Sequence, residues 1–378
     1  MPHPPLAVYI HWPFCRSKCP YCDFNSHVRE RIDAGVWTRA LIADLDRQAA
    51  GAPEHEVVSI FFGGGTPSLM PPDTAAALID CVKRHWPTAP ELEITLEANP
   101  NSAEAERFAG FAAAGVNRLS LGVQALDPAA LKFLGRGHDR VEAVAAIKLS
   151  KELFRRTSFD LIYARPGQSL AAWRDELDEA LDFAGEHLSL YQLTIEPGTA
   201  FYTRAANGEL VLPDEEISAA MFETTQERLA ARGMPAYEVS NHARPGAECR
   251  HNLAYWRYDD YLGVGPGAHG RVTRDGIKYA TRQRRLPEAW LARPEFEETT
   301  AITRESAVEE MVMMGLRLAE GIPRGRLETL AECSIETLFG FGLTRLLAGG
   351  FVELDDKRFA ATAAGRQRLN AVLATLFG

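Results

Sequence analysis

The feature that most restricts the fold is an alternation of short apolar runs with longer stretches of helical periodicity through the first 240 residues. The apolar runs at 6–11, 57–62, 93–97, 118–123, 158–163 and 188–195 predict strands. Amphipathic stretches at 33–50, 72–85, 102–114, 140–153, 170–184 and 214–232 predict helices, and Gly115, Gly185 and Gly233 sit near three of their ends. Strand–helix repetition builds a parallel sheet with right-handed crossovers. Six units predict an α/β fold, a full or partial (β/α)6 barrel over residues 1–235. Residues 236–295, rich in Gly, Pro, Arg and aromatics, read as an irregular connector. From 296 to 378 the pattern is mostly helical, with helices at 307–319 and 327–330. A strand pair near 351–354 and 358–360 and a last helix to 377 complete a smaller domain resembling a winged helix.

Polar residues fall where such a barrel gathers its ligands, at the C-terminal ends of its strands. A cysteine loop follows the first strand, and Gly63-Gly64-Gly65-Thr66 follows the second. Glu97 closes the third, Gln124 follows the fourth and Asp160 lies on the fifth. Five such features at one rim are better explained by a shared site than by chance.

The cysteine loop runs Cys15-Arg16-Ser17-Lys18-Cys19-Pro20-Tyr21-Cys22, with no fourth cysteine or histidine close behind. A structural zinc site takes four protein ligands. Three thiolates suit a four-iron cluster that leaves one iron to an outside ligand. The alternative is a zinc knuckle with a remote fourth ligand. The glycine run lets backbone approach a ligand closely and offers its N–H groups, although such a turn can also serve packing alone. No Lys-Ser/Thr follows it, so it is not a P-loop. Glu97, Gln124, Arg136 and Asp160 are individually ordinary, and a carboxylate at a strand end is commonly solvated or capping. Together they suit the hydroxyls, amino group and carboxylate of one amino-acid-like cofactor, Arg136 offering a planar fork. In the connector, His251-Asn252-Leu253-Ala254-Tyr255-Trp256 places a histidine among aromatics. Such a histidine is usually a packed, hydrogen-bonded residue; it also suits an axial bond to haem iron.

A net charge of −10 argues against a nucleic-acid partner. Six cysteines, three of them clustered, are too few for a secreted disulfide framework and fit a reducing cytoplasm. The N-terminus has no signal or transit character, and no apolar run reaches membrane-spanning length.

Cys15-x3-Cys19-x-Tyr21-Cys22 is similar to the signature of the radical S-adenosylmethionine (SAM) superfamily, and Gly63-Gly64-Gly65-Thr66-Pro67 resembles its glycine motif. The resemblance continues through Tyr9–Cys15, Ser120–Gln124 and Asp160–Tyr163 and covers nearly the whole chain. It is close to the oxygen-independent coproporphyrinogen dehydrogenase group, and within it to the haem-chaperone branch. The dehydrogenase has a further cysteine two residues after the third, where this chain has Phe24, and an N-terminal extension for which a strand starting at Leu6 leaves no room. His251-Asn252-x-x-Tyr255-Trp256 matches the branch's haem motif.

The resemblance implies that Cys15, Cys19 and Cys22 hold a 4Fe–4S cluster. It sets Tyr9, Tyr21, Gly64, Gly65, Thr66, Glu97, Gln124, Arg136 and Asp160 around SAM, and His251 on haem. His269 falls in a stretch that contacts SAM in the family, with a different residue type. The function implied is haem binding and transfer to apo-haemoproteins such as membrane respiratory enzymes, with peripheral membrane contact and a homodimer as further expectations. The alternative is radical decarboxylation of coproporphyrinogen III to protoporphyrinogen IX.

Overall fold

The computed structural model describes every residue except 1, 2, 53, 294 and 296, so the expected boundary at 296 lies outside the described residues. Its centre is an 11-stranded sheet. Six strands follow the alternation read from the sequence: β1 (Pro5–Trp12), β2 (Glu56–Gly64), β3 (Thr88–Ala98), β4 (Arg118–Gln124), β5 (Arg156–Tyr163) and β6 (His187–Gln192). All six run parallel in chain order. The segment expected to be irregular instead extends the sheet at both edges. β7 (Asn241–Ala243) pairs antiparallel with β6. On the other side β8 (Asp260–Val264) lies parallel to β1, followed by β9 (His269–Arg274), β10 (Ile277–Gln283) and β11 (Glu297–Ala301) in antiparallel order. The outer strands β7 and β11 do not pair, so the barrel is partial.

The two faces of the sheet differ in chemistry, because successive residues of a strand point opposite ways. Outward residues such as Leu6, Val8, Ile10, Ile60, Phe62, Leu96, Leu119 and Leu121 join the main apolar cluster beneath the helices. Inward residues are polar yet buried: Ser59, Glu93, Thr95, Arg118, Ser158 and Ser189. The helix Arg250–Trp256 lies across the floor of this inner face, its Arg250 N–H donating to Glu93 at 2.8 Å.

Helices Pro72–His85 and Arg140–Leu153 end where the sequence placed them. The helix expected over 102–114 breaks into Ser102–Ala105 and Phe108–Ala113. Between them Arg107 donates to the carbonyls of Ser68 and Leu69 at 3.2 and 3.1 Å. The strand expected over 188–195 stops at Gln192. A second apolar cluster gathers Arg304–Gly315, Arg324–Ala331, Ile335–Ala348 and the terminal helix Leu369–Phe377. The hairpin Val352–Leu354 and Arg358–Ala361 takes Ile322–Pro323 as a third strand. Helix, short strand, two helices and a hairpin is the order of a winged helix. Arg271–Glu310 and Arg317–Glu238 ion pairs, at 2.8 and 3.0 Å, tie this cluster to the sheet side.

Candidate functional site

Phe14 anchors the cysteine loop. It packs edge-on to Trp12 and Trp37, and Trp37 stacks on Trp290 at 5.8 Å. A buried aromatic removes 150–250 Å² from water, worth about 4–6 kcal/mol each by area. The loop therefore leaves from a rigid base. Phe14–Cys15 pairs with His27–Val28, and Asn25 donates to the carbonyls of Pro266 and Arg285, both at 2.9 Å. That ties the loop to the β8–β9 turn and to the chain after β10. The glycine run makes the close approach possible. A Cβ on Gly65 would lie 2.6 Å from the Phe14 carbonyl oxygen, and Gly64 has φ 114° with the His11 ring behind it.

Above the loop opens a cavity of about 400 Å³, lined among others by Cys15, Cys19, Tyr21, Cys22, Gly64, Gly65, Thr66, Glu97, Gln124, Arg136 and Asp160. The four strands β2 to β5 and the loop after β1 reach one small cavity because the sheet curls around it. Tyr9 stands apart from this group. It lines a second, adjoining cavity of about 620 Å³ with His11, Phe24, His269, Arg282 and Arg285. Phe24, Gly64 and Glu97 border both. The Tyr9 hydroxyl and His11 Nδ1 are 3.0 Å apart.

The three loop cysteines are free thiols, each the focus of a donor. Thr66 Oγ1 donates to Cys15 at 3.4 Å, Arg136 Nη1 donates to Cys19 at 3.2 Å, and Ser26 Oγ lies 3.8 Å from Cys22. Burial pushes the Cys15 and Cys22 thiols up. A metal that binds them as thiolates offsets that cost. The one histidine on this cavity wall, His138, spends Nε2 on the Val123 carbonyl at 3.1 Å. Three sulfurs with converging donors, and no fourth cysteine among the described residues of the cavity wall, fit a cluster with one open iron better than a closed zinc site.

Arg136 is not the free carboxylate fork that its position in the sequence suggested. Its guanidinium is turned to Cys19, to Asn99 and to the Gly122 carbonyl at 2.7 Å, while Nε, though buried, has no partner. Asn99 also donates to Thr66 Oγ1 at 3.3 Å and is held by Glu104, whose carboxylate accepts the Asn99 N–H at 2.9 Å. Asn99 and Glu104 brace both Arg136 and Thr66. Sequence reasoning missed them, although Asn99 directly follows a strand whose end already carried Glu97.

Glu97 and Asp160 face one another across the cavity. Burial, then the Asp160 charge, pushes Glu97 up to about 8. Burial pushes Asp160 up to about 6, against hydrogen bonds from Ser189 and Ser120 and the nearby Arg136 charge. Such a pair accepts hydroxyl or ammonium donors as soon as a ligand brings them. Gln124 has φ 72°, the left-handed region that a glutamine enters at a cost of about 1–2 kcal/mol. Strain of this kind collects at ligand sites.

His251 lies outside both cavities. Its ring stacks on Phe61 at 4.8 Å beneath the inner face and is buried to 1% exposure. Nδ1 is 3.0 Å from Ser59 Oγ and Nε2 is 3.2 Å from Tyr255 Oη. Both nitrogens are thus engaged in the floor of the fold. The aromatic neighbours read from the sequence are present; an exposed coordinating edge is not.

A half-barrel whose three-cysteine loop, glycine turn and facing carboxylates share one rim defines a radical SAM protein. The radical SAM superfamily model matches residues 9–182, and the HemN C-terminal domain model matches residues 302–368. The heme chaperone HemW of Escherichia coli is 40% identical over 98% of this chain and 97% of its own length. HemW of Mycobacterium tuberculosis is 39% identical over 100% of this chain and 96% of its own. A mitochondrial radical SAM domain-containing protein 1 of Danio rerio is 36% identical over 98% and 86%. The solved coproporphyrinogen III oxidase HemN of Escherichia coli shares the fold, with TM-score 0.82 and 22% identity over 100% of this chain and 91% of that one. The chain belongs to the HemW family of radical SAM proteins. Superfamily membership implies a 4Fe–4S cluster and SAM. Among the described residues no helix is long and apolar enough to cross a membrane.

Proposed function

We propose that this protein is a haem chaperone. It binds haem beside a 4Fe–4S cluster and SAM and passes it to apo-haemoproteins, in a reducing compartment such as the cytoplasm. The observation that carries this reading is identity of about 40% along nearly the full length of relatives named heme chaperones. Cys15, Cys19 and Cys22 would hold the cluster, which supplies an electron reservoir and an open iron for SAM. Gly64, Gly65, Thr66, Gln124, Glu97 and Asp160 would orient SAM, while Arg136 and Asn99 set the loop's posture and shield it from water. A peripheral membrane contact, a homodimer of the cluster-bound form and delivery to membrane respiratory enzymes belong to the same proposal.

The second reading, coproporphyrinogen III decarboxylation, has the shared fold of the oxidase in its favour. Against it stands Phe24, where that enzyme has its further cysteine. The two readings separate in one experiment. Anaerobically reconstituted protein is loaded with haem and mixed with an apo-cytochrome, and in parallel given coproporphyrinogen III, SAM and reductant. Haem transfer without protoporphyrinogen formation is expected; turnover of the porphyrinogen with little haem uptake would replace the chaperone reading with the enzyme.

A further inference from the structure

We propose that the paired ends of the first two long helices bind a zinc ion, with Asp46, Cys81 and His85 as ligands and a fourth position open to solvent.

Helix Ala34–Ala49 precedes β2 and helix Pro72–His85 precedes β3, so both carry the chain back toward the N-terminal ends of the strands, away from the cysteine loop. Near their starts the Thr38 and Thr74 hydroxyls are 2.9 Å apart. Near their ends Asp46 of the first helix meets Cys81 and His85 of the second. Cys81 and His85 are four residues apart, a spacing that puts two side chains on one helix face. Among the described residues, this is the set of three His, Cys, Asp or Glu side chains whose ligand atoms all lie within 4.8 Å of one another.

A cysteine packed between helices is ordinarily inert core, and a His–Asp pair at a helix end is ordinarily a surface ion pair. Here the two are joined at one atom. Cys81 Sγ donates to Asp46 Oδ1 at 3.4 Å, and His85 Nε2 lies 2.7 Å from the same oxygen. A tetrahedral zinc with ordinary bond lengths holds sulfur, nitrogen and oxygen ligands about 3.4–3.6 Å apart. The group therefore needs to open by less than about 1 Å to admit the ion. The side chains that must move are free to do so, since those of His85 and Asp46 are 31% and 51% exposed. Burial, then the Asp46 hydrogen bond and charge, pushes the Cys81 thiol up to about 11, so zinc releases a proton from it to solvent on binding.

The ligand set also chooses the kind of metal. Both helices end here, and the partial negative charge of their C-terminal carbonyls favours a cation. The Arg84 charge also reaches Asp46 and opposes one. Affinity must then come from bonds to sulfur and nitrogen rather than from net charge, which excludes Ca²⁺ and Mg²⁺ and suits Zn²⁺.

The test uses the full-length protein with its cluster reconstituted anaerobically, so that the three loop cysteines are occupied. Zinc is titrated by equilibrium dialysis, with iron content followed throughout, and the bound ion is read by X-ray absorption at the zinc edge. One zinc per chain is expected, with one sulfur at about 2.3 Å and the other ligands at about 2.0–2.2 Å. His85→Gln, at the surface, should weaken zinc at least tenfold with no change in iron content or circular dichroism. His85→Cys should regain binding and show two sulfurs, a result that a merely structural histidine would not give. No zinc uptake beyond the cluster overturns the site. So does uptake that His85→Gln leaves unchanged, or a zinc with three sulfurs, which would sit in the cysteine loop.

Discussion

The rim and the floor of the half-barrel are built on the same inner face of the same strands, yet they treat polar groups in opposite ways. On the floor Glu93 pairs with Arg118 and Arg250, His187 reaches Tyr237 Oη at 3.0 Å, and His251 spends both nitrogens. At the rim two carboxylates face each other, Arg136 Nε lacks a partner and Gln124 is strained. A polar group sealed from water costs about 1–3 kcal/mol if left unpaired. The floor offsets part of that cost by pairing, although Arg118 Nη2, Thr95 Oγ1 and His187 Nδ1 also lack partners there, and the rim turns its unmet groups toward a cavity that a ligand can fill. Polar residues inside the barrel are therefore not a sign of function by themselves; what separates site from scaffold is that the rim groups border an open cavity.

The largest expected effect tests the rim. Replacing Cys15, Cys19 or Cys22 by Ser should abolish the iron–sulfur chromophore after anaerobic reconstitution, while the fold persists by circular dichroism. Full iron and sulfide content in any one variant would break the three-thiolate assignment. Next comes the floor. Arg118 and Glu93 lie 3.2 Å apart with side chains 2% and 4% exposed. Arg118→Leu strands the Glu93 carboxylate, and breaking such a pair costs about 3–5 kcal/mol. Urea denaturation should register that loss; a loss below about 1 kcal/mol would mean that water already reaches the floor.

Titration should sharpen the contrast, because the two regions respond in opposite directions. Burial holds His251 down at about 3, against 6.5 in the unfolded chain. As pH falls from about 6.5 toward 3 the unfolded chain takes up a proton that the folded imidazole refuses, so stability drops. Glu97 runs the other way. Its folded carboxyl is pushed up to about 8 from 4.5, so the unfolded chain releases its proton first and stability drops as pH rises between those values. In the cofactor-free protein Glu97→Gln should flatten the loss of stability with rising pH between about 4.5 and 8, and His251→Gln the loss with falling pH between about 6.5 and 3. Buried His11 and His242, each held down at about 4, leave part of the acid slope in place. If Glu97→Gln left the stability profile between pH 4.5 and about 8 unchanged, the facing-carboxylate description of the rim would fail.

The parallel strands were legible because a strand covered on one face by helices carries a continuous apolar row. Leu6, Val8 and Ile10 or Leu119 and Leu121 display that row without any knowledge of partners. The rim was legible because cysteines, glycines and carboxylates collect at strand ends. The floor was not. Its helix spans only seven residues, too few for periodicity, and β8 to β10 run through Gly263, Gly265, Gly267 and Gly270, which read as loop. There the glycines serve close packing: a Cβ on Gly263 would lie 2.1 Å from the His269 carbonyl oxygen. His251 shows the remaining gap. Sequence displays its aromatic neighbours but not Ser59, 192 residues away, which takes Nδ1. Pairing across that distance is a property of the fold.

The smallest expected effect lies at Gln124 and has two signs. Its φ of 72° costs a glutamine about 1–2 kcal/mol, which glycine does not pay. Glycine in turn gives the unfolded chain extra freedom, worth about 0.5–1 kcal/mol. The difference leaves Gln124→Gly about 0.5 kcal/mol more stable, visible as a small rise in Tm. The same change removes a side chain that borders the 400 Å³ cavity, so SAM binding by equilibrium dialysis should weaken. A floor residue offers no such trade, because there stability and packing fall together. If Gln124→Gly lowered both Tm and SAM affinity, its backbone posture would be a structural necessity, and the rim would resemble the floor at that position.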